Sequence, residues 1–490
     1  MTTSATSSPL VGAGALSATE RVVAQICQFA IFVIAARALG PAEFGTFALV
    51  SACAILLMRA AEVGWAPYIM CWSGDASVPR QVLALAVLSG VVAGALGFLG
   101  AALGGLLGLE GTTVTLAELF ALWVVLATVS SAQKGMMIWM HRLRSSAVCE
   151  ITGELAGLAV ALGALWTGWG VLALVFGRLA YQIVHLALSL AVTRLLPDFR
   201  VRLERMTELI DFSRDFFFSR MLSNIRLYVA TFIVGGALGP TEVGYLRVAE
   251  RLVGAIGEVI VVPAQILGWA AFKTARDTGD PLAARVRVGD GLVTFQRLIW
   301  AISVPLFAWL MLTSDVLVAG LLSEEWLPAV PLVLLLALAR LLITFGVATE
   351  PLMSLLGQSR VLPRLSLLTL ATFTVAALVA VPFGLHAVVW GQVGASAILM
   401  VVTLRLFDDH AGVGPLRILR ELSTLIPPLV VGVAALLLAD WALSRQDLLP
   451  PLGQTVVSGL FAGTVYAGAL ALLAPSVLRA LIGRPRAVTP

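Results

Sequence analysis

Apolar runs, each about as long as a bilayer is thick, follow one another along nearly the whole chain. This constrains its fold more than any other feature. A helix crosses the hydrocarbon core in about 20 apolar residues, and by that ruler the sequence reads as about 14 spans. They lie at roughly 17–39, 43–69, 81–107, 114–138, 148–167, 170–193, 210–238, 242–270, 290–313, 328–350, 362–383, 385–405, 423–442 and 453–474. Only 12% of the 490 residues are charged, where soluble domains carry roughly 25%. With a mean hydropathy of +0.98, the chain has too little charge to cover a water-facing surface. We expect an all-α polytopic membrane protein. The loops are short, so no soluble domain is inserted between spans.

The basic residues of those loops are strongly one-sided. With the N-terminus placed inside, the inner loops hold Arg80, Arg142, Arg144, Arg194, Arg200, Lys273, Arg285, Arg360 and Arg417, and the C-terminal tail adds Arg479, Arg484 and Arg486. The outer loops carry Arg445 and the acids Glu110, Asp315, Glu324, Glu325 and Asp447. The positive-inside rule then puts both termini in the cytoplasm. The N-terminal "MTTSATSSPLVGAGALSATERV" lacks the basic start and apolar core of a signal peptide. It reads as a short flexible tail before a retained first span.

Two of the outer corners share one phrase. "ALGPAEFG" at 38–45 and "ALGPTEVG" at 237–244 agree at six of eight positions. Gly40 and Gly239 suit the left-handed position that ends a helix, and Pro41 and Pro240 suit the first turn of the next one. Each copy joins the first two spans of a set of six, and both sets start inside. The repeats are therefore parallel, related by an axis along the membrane normal. This divides the chain into an N-lobe (1–195, spans 1–6), a cytoplasmic connector (196–209), a C-lobe (210–405, spans 7–12) and a C-terminal helix pair with its tail (406–490). The same offset sets Arg21 opposite Arg220 and Gln25 opposite Asn224, in each lobe an arginine followed four residues later by an amide on the same helix face.

"ARALGPAEFGTFALV" at 36–50 and "FFFSRMLSNIRLYVATFIVGGALGPTEVGYLRVAERL" at 216–252 resemble bacterial oligosaccharide-lipid flippases of the multidrug/oligosaccharidyl-lipid/polysaccharide exporter superfamily. The resemblance implies two six-helix lobes around a central cavity with alternating access. It also implies transfer of polyprenyl-pyrophosphate-linked sugars from the cytoplasmic to the periplasmic leaflet, for surface polysaccharide (O-antigen or exopolysaccharide) biosynthesis. That places the chain in the bacterial inner membrane. The expected partners are the lipid-linked oligosaccharide, the membrane and a polymerase of the same pathway, with the transporter itself a monomer. No nucleic acid, cofactor or metal is expected.

Charge inside a membrane is costly and faces a cavity or a partner. The guanidinium fork matches phosphate oxygens, so Arg21, Arg220 and Arg226 lead as substrate ligands, with Arg59, Arg247 and Arg251 behind them. Gln25 and Asn224 suit sugar hydroxyls or phosphate. The plainer alternative is that Arg247 and Glu250, three residues apart, satisfy each other within the bundle. Glu150, Glu154 and His185 read as structural. Gly100, Gly104 and Gly108 read as a close-packing stripe, and the four cysteines as small apolar side chains. Two competing functions follow from the same features. A cation-coupled multidrug exporter of this fold would favour acidic cavity residues. A membrane-embedded polymerase or ligase would need a sizeable outer loop, which the chain lacks, so an enzyme is not expected.

Overall fold

The computed structural model describes residues 9–200, 203–277, 281–445 and 449–477. Among them, regular structure is helical throughout, and twelve helices are long and apolar enough to cross a membrane. This is a multi-pass membrane protein. The expected count of about 14 takes the stretch Glu20–Cys71, which turns at Gly40, as two spans where the twelve take it as one, and adds the 210–238 segment. That segment is part of the 35-residue helix Leu203–Ala237, of which several side chains lie outside the described residues.

The chain packs as two compact units, residues 1–235 with 239–244 and residues 236–238 with 245–490. The first contains α1 (Pro9–Glu62), α2 (Trp65–Cys71), α3 (Ser77–Leu106), α4 (Gly111–Trp139), α5 (Leu143–Trp166), α6 (Leu172–Thr193) and most of α7 (Leu203–Ala237). Helix starts at Pro9, within the stretch read as a flexible tail; residues 1–8 lie outside the described residues. α7 starts at Leu203, within the stretch read as connector.

α1 turns at Gly40, whose φ of 67° and ψ of 174° are essentially restricted to glycine. The φ is positive, as the corner phrase implies, but the ψ is extended rather than helical. Gly239, with φ of 96°, ends α7 in the matching place, and its N–H donates to Val234 O at 3.3 Å. The span expected at 43–69 is interrupted. Val63 and Gly64 both take positive φ, and α2 starts afresh beyond them.

Close helix contact in this unit depends on absent side chains. A Cβ on Gly157 of α5 would stand 2.8 Å from Gly177 O of α6, and one on Gly177 would stand 2.9 Å from Gly157 O and 2.7 Å from the Ala161 Cβ. We expect Gly177→Ala to force the pair apart at a cost of about 1–3 kcal/mol, read as a lower melting temperature of the purified chain. The stripe read at Gly100, Gly104 and Gly108 is not the α3–α4 seam. Gly100 has nothing within 4 Å of a Cβ, Gly104 meets only Leu109, and Gly108 has φ of 92°. The seam runs through Gly90, Gly94 and Gly97, against Thr128, Val125 and Ala121. Ala101 continues that ladder, so Gly100 lies one residue off it.

The second unit contains α8 (Pro240–Asp277) from Tyr245 on, α9 (Pro281–Leu321), α10 (Val330–Ile343), α11 (Thr349–Leu355), α12 (Val361–Ala380), α13 (Leu385–Ala411), α14 (Pro415–Ser423), α15 (Ile426–Ser444) and α16 (Pro451–Leu473). The span expected at 328–350 is built in pieces. A 3-10 stretch at Thr344–Ala348 separates α10 from α11, with Gly346 inside it and Pro351 in the first turn of α11. α15 and α16 pack on each other and on α9, where the Tyr466 hydroxyl donates to Ala301 O at 2.8 Å. An apolar cavity of about 330 Å³ lies among these three helices, lined by Trp309, Leu436 and Tyr466 among others. Large apolar side chains such as Leu106, Val379 and Leu472 are exposed on the two units. Hydrocarbon accepts such a surface and water does not.

Candidate functional site

A lysine inside an apolar span must find a carboxylate or reach water. Lys134 of α4 finds two carboxylates. Its Nζ lies 2.5 Å from Glu150 Oε1 on α5 and 3.3 Å from Glu20 Oε1 on α1. The other oxygen of Glu150 accepts the Tyr181 hydroxyl of α6 at 2.5 Å. His185, one turn along α6, stacks on the Tyr181 ring, and its Nδ1 pairs with Ser130 Oγ of α4. Helical spacing makes this cluster possible, because Ser130 and Lys134, like Tyr181 and His185, are four residues apart and share a face. Gly153 of α5 leaves room for the Tyr181 ring, which a Cβ there would meet at 2.9 Å.

The cluster forms one wall of a cavity of about 410 Å³ within the first unit. Arg59 and Glu62 from the end of α1 line it too, bonded to each other at 2.6 Å. Gln182, Ser131, Met58 and Met70 complete much of the lining. Each of its two cations is therefore paired with a carboxylate. Two buried atoms have no hydrogen-bond partner, Gln182 Oε1 and His185 Nε2. The latter stands 3.6 Å from Glu150 Oε1, beyond hydrogen-bond range. Val63, next to Glu62, holds a φ of 44°. A β-branched residue there is strained, and such strain gathers at functional sites.

Ser130, His185 and Glu150 stand in the order of a nucleophile, a base and an orienting acid. The geometry does not support that role. The His185–Glu150 separation is too long, Glu150 is engaged by Lys134 and Tyr181, and Ser130 is 3% exposed. The arrangement suits binding of a polar ligand. Among the described residues no three His, Cys, Asp or Glu side chains converge as metal ligands.

The residues singled out from sequence fall in several places. Arg59 lines the cavity. Arg21 and Gln25 are exposed on α1, beyond Glu20. On α7, Asn224 is half-buried and Arg226 exposed, while the Arg220 side chain lies outside the described residues. In the second unit Arg247 and Arg251 are half-buried on α8, and Arg247 donates to Glu250 at 2.7 Å, the self-satisfying pair of the plainer reading. Sequence reasoning missed Lys134. Its signal was available, since the chain has only one other lysine, Lys273, and Lys134 falls inside the 114–138 run. Glu150 and His185, read as structural, turn out to be its neighbours on the cavity wall.

Residues 34–331 match the family model described as "Polysaccharide biosynthesis protein". No curated protein matches the chain by sequence. The fold is that of known membrane transporters. A structure of the lipid II flippase MurJ in an inward closed conformation superposes with a TM-score of 0.69 over 96% of this chain and 100% of its own, at 12% identity. An inward-facing multidrug resistance MATE family transporter of the MOP superfamily gives a TM-score of 0.60 over 79% of this chain and 94% of its own, at 15% identity.

Proposed function

Since the chain belongs to this polysaccharide biosynthesis protein family, we propose that it carries a polyprenyl-pyrophosphate-linked oligosaccharide from the cytoplasmic to the periplasmic leaflet by alternating access. The observation that carries this reading is the family match over residues 34–331, set on a fold shared with a lipid II flippase. A lipid pyrophosphate with sugars is too polar to cross hydrocarbon unaided. An apolar bundle with polar side chains among its spans offers what such a passage needs. In this reading the two six-span lobes at 1–195 and 210–405 rock about the substrate. Arg21, Arg220 and Arg226 hold its phosphates, Arg247 and Arg251 support them, and Gln25 and Asn224 bond sugar hydroxyls or phosphate, while Arg59 stays paired with Glu62. The protein works as a monomer in the bacterial inner membrane with both termini cytoplasmic, and hands its product to a polymerase outside.

The fold is shared with a multidrug resistance MATE family transporter, so a cation-coupled multidrug exporter is the competing reading, and one assay separates the two. The purified chain is reconstituted in liposomes with a fluorescent polyprenyl-pyrophosphate oligosaccharide, and the fraction reaching the opposite leaflet is read with a membrane-impermeant quencher. We expect lipid movement and no accumulation of ethidium; ethidium transport without lipid movement would sink the proposal. Hydrogen bonds to charged groups contribute about 1.5–3 kcal/mol, so Arg21→Ala and Arg220→Ala should each slow lipid movement roughly tenfold to a hundredfold. Unchanged rates in both would remove these arginines from the site.

A further inference from the structure

Resting on that reading, we propose that the cavity of the first unit is a subsite for an uncharged sugar residue of the substrate, separate from whatever binds its pyrophosphate. In the lining Arg59 is paired with Glu62 and Lys134 with Glu150, and Glu20 gives Lys134 a second carboxylate. The surroundings are neutral to negative, so an incoming anion meets cations whose charge is already offset by carboxylates. A metal cation meets the opposite obstacle, because the Lys134 ammonium already lies between the two carboxylates it would need.

The unsatisfied atoms say what does fit. Gln182 Oε1 is an acceptor only, and His185 Nε2 donates or accepts with the ring tautomer. Both residues are more than nine-tenths buried, and both line the cavity. Both atoms are themselves covered, so once a side-chain rotation opens them to the cavity a hydroxyl can give a proton to the first and either give to or take from the second. A polyol presents several hydroxyls at once, and the apolar Met58 and Met70 can meet its C–H faces. A volume of about 410 Å³ falls at the low end of ligand pockets, about 300–1,000 Å³. That is room for one or two sugar rings.

Saturation-transfer NMR on the full chain in lipid nanodiscs tests this, with free glucose and N-acetylglucosamine as probes and inorganic pyrophosphate as competitor. We expect transfer to at least one of the two sugars, undiminished by pyrophosphate. The signal should fall at least fivefold in Gln182→Leu and also in Met70→Trp, which fills the cavity from a side chain outside the ion cluster and so keeps the test alive where the first variant misfolds. Absence of transfer to both sugars, displacement by pyrophosphate, or an unchanged signal in a folded variant would each overturn the subsite. The readout involves no translocation. Lipid movement without sugar binding would end the subsite alone, and sugar binding without lipid movement would end the flippase reading alone.

Discussion

Lys134→Met should be among the most damaging single changes in the first unit, and Glu150→Gln should repair most of it. The wild-type ammonium stands between Glu150 and Glu20 at 2.5 and 3.3 Å. Its removal leaves Glu150, a buried carboxylate, with the Tyr181 hydroxyl as its one remaining hydrogen bond among those described. Breaking a buried pair by deleting one partner costs about 3–5 kcal/mol, chiefly for the charge left behind. The Lys134 side chain is 40% exposed, which brings the expected cost to the low end, about 3 kcal/mol. At two to four degrees per kcal/mol for a unit of this size, the melting temperature should drop by roughly 6–12 °C. Glu150→Gln alone should be milder, because Lys134 keeps Glu20 and Tyr181 can still donate to the amide oxygen. The double variant should melt well above Lys134→Met, since no orphaned charge remains at position 150. A double variant no better than Lys134→Met would mean that Lys134 acts chiefly by neutralising Glu20 rather than Glu150.

This cluster also shows where sequence reading reaches and where it stops. Spans were legible because twenty apolar residues have few other ways to be stable, and the corner phrase was legible because glycine admits positive φ and proline suits a helix start, although the ψ of Gly40 was not foreseen. Interruptions inside spans were not. The break at Val63–Gly64 and the 3-10 stretch at Thr344–Ala348 leave hydropathy untouched, and they depend on local φ and on how neighbours fill the space. Lys134 and Glu150 are 16 residues apart on different helices, and Glu20 is farther still. Hydropathy marks each of them as a charge in or beside an apolar run but gives no rotation about the helix axis. Arg247 and Glu250 were different. They share one helix, so a spacing of three was enough to foresee their bond. The Gly100 stripe failed for a related reason. Three glycines at helical spacing specify a face, but only the partner helix decides whether that face is used.

The two corner phrases support the second large prediction, because in the structure they meet. Within the first unit, a Cβ on Gly45 would stand 1.7 Å from the Pro240 carbonyl oxygen, and one on Gly244 would stand 2.2 Å from the Pro41 carbonyl oxygen. The contact is reciprocal, each glycine lying against the proline that opens the other copy of the phrase. Both obstacles are backbone atoms at helix starts, so no rotamer change can relieve them. Gly45→Ala and Gly244→Ala should therefore each cost more than the about 1–3 kcal/mol usual for an overpacked side chain. Because either methyl group already forces the two corners apart, the double variant should cost clearly less than the two losses added together. Gly100→Ala is the control. It adds the same methyl group to a helix with open space around it and gains helix propensity of up to about 1 kcal/mol, so the melting temperature should hold or rise. Thermal unfolding of the four purified variants reads all of this at once. If Gly45→Ala and Gly244→Ala melt with the wild type, the corners do not pack through these glycines. Strict additivity of the two losses would mean that each glycine serves its own helix rather than the shared contact.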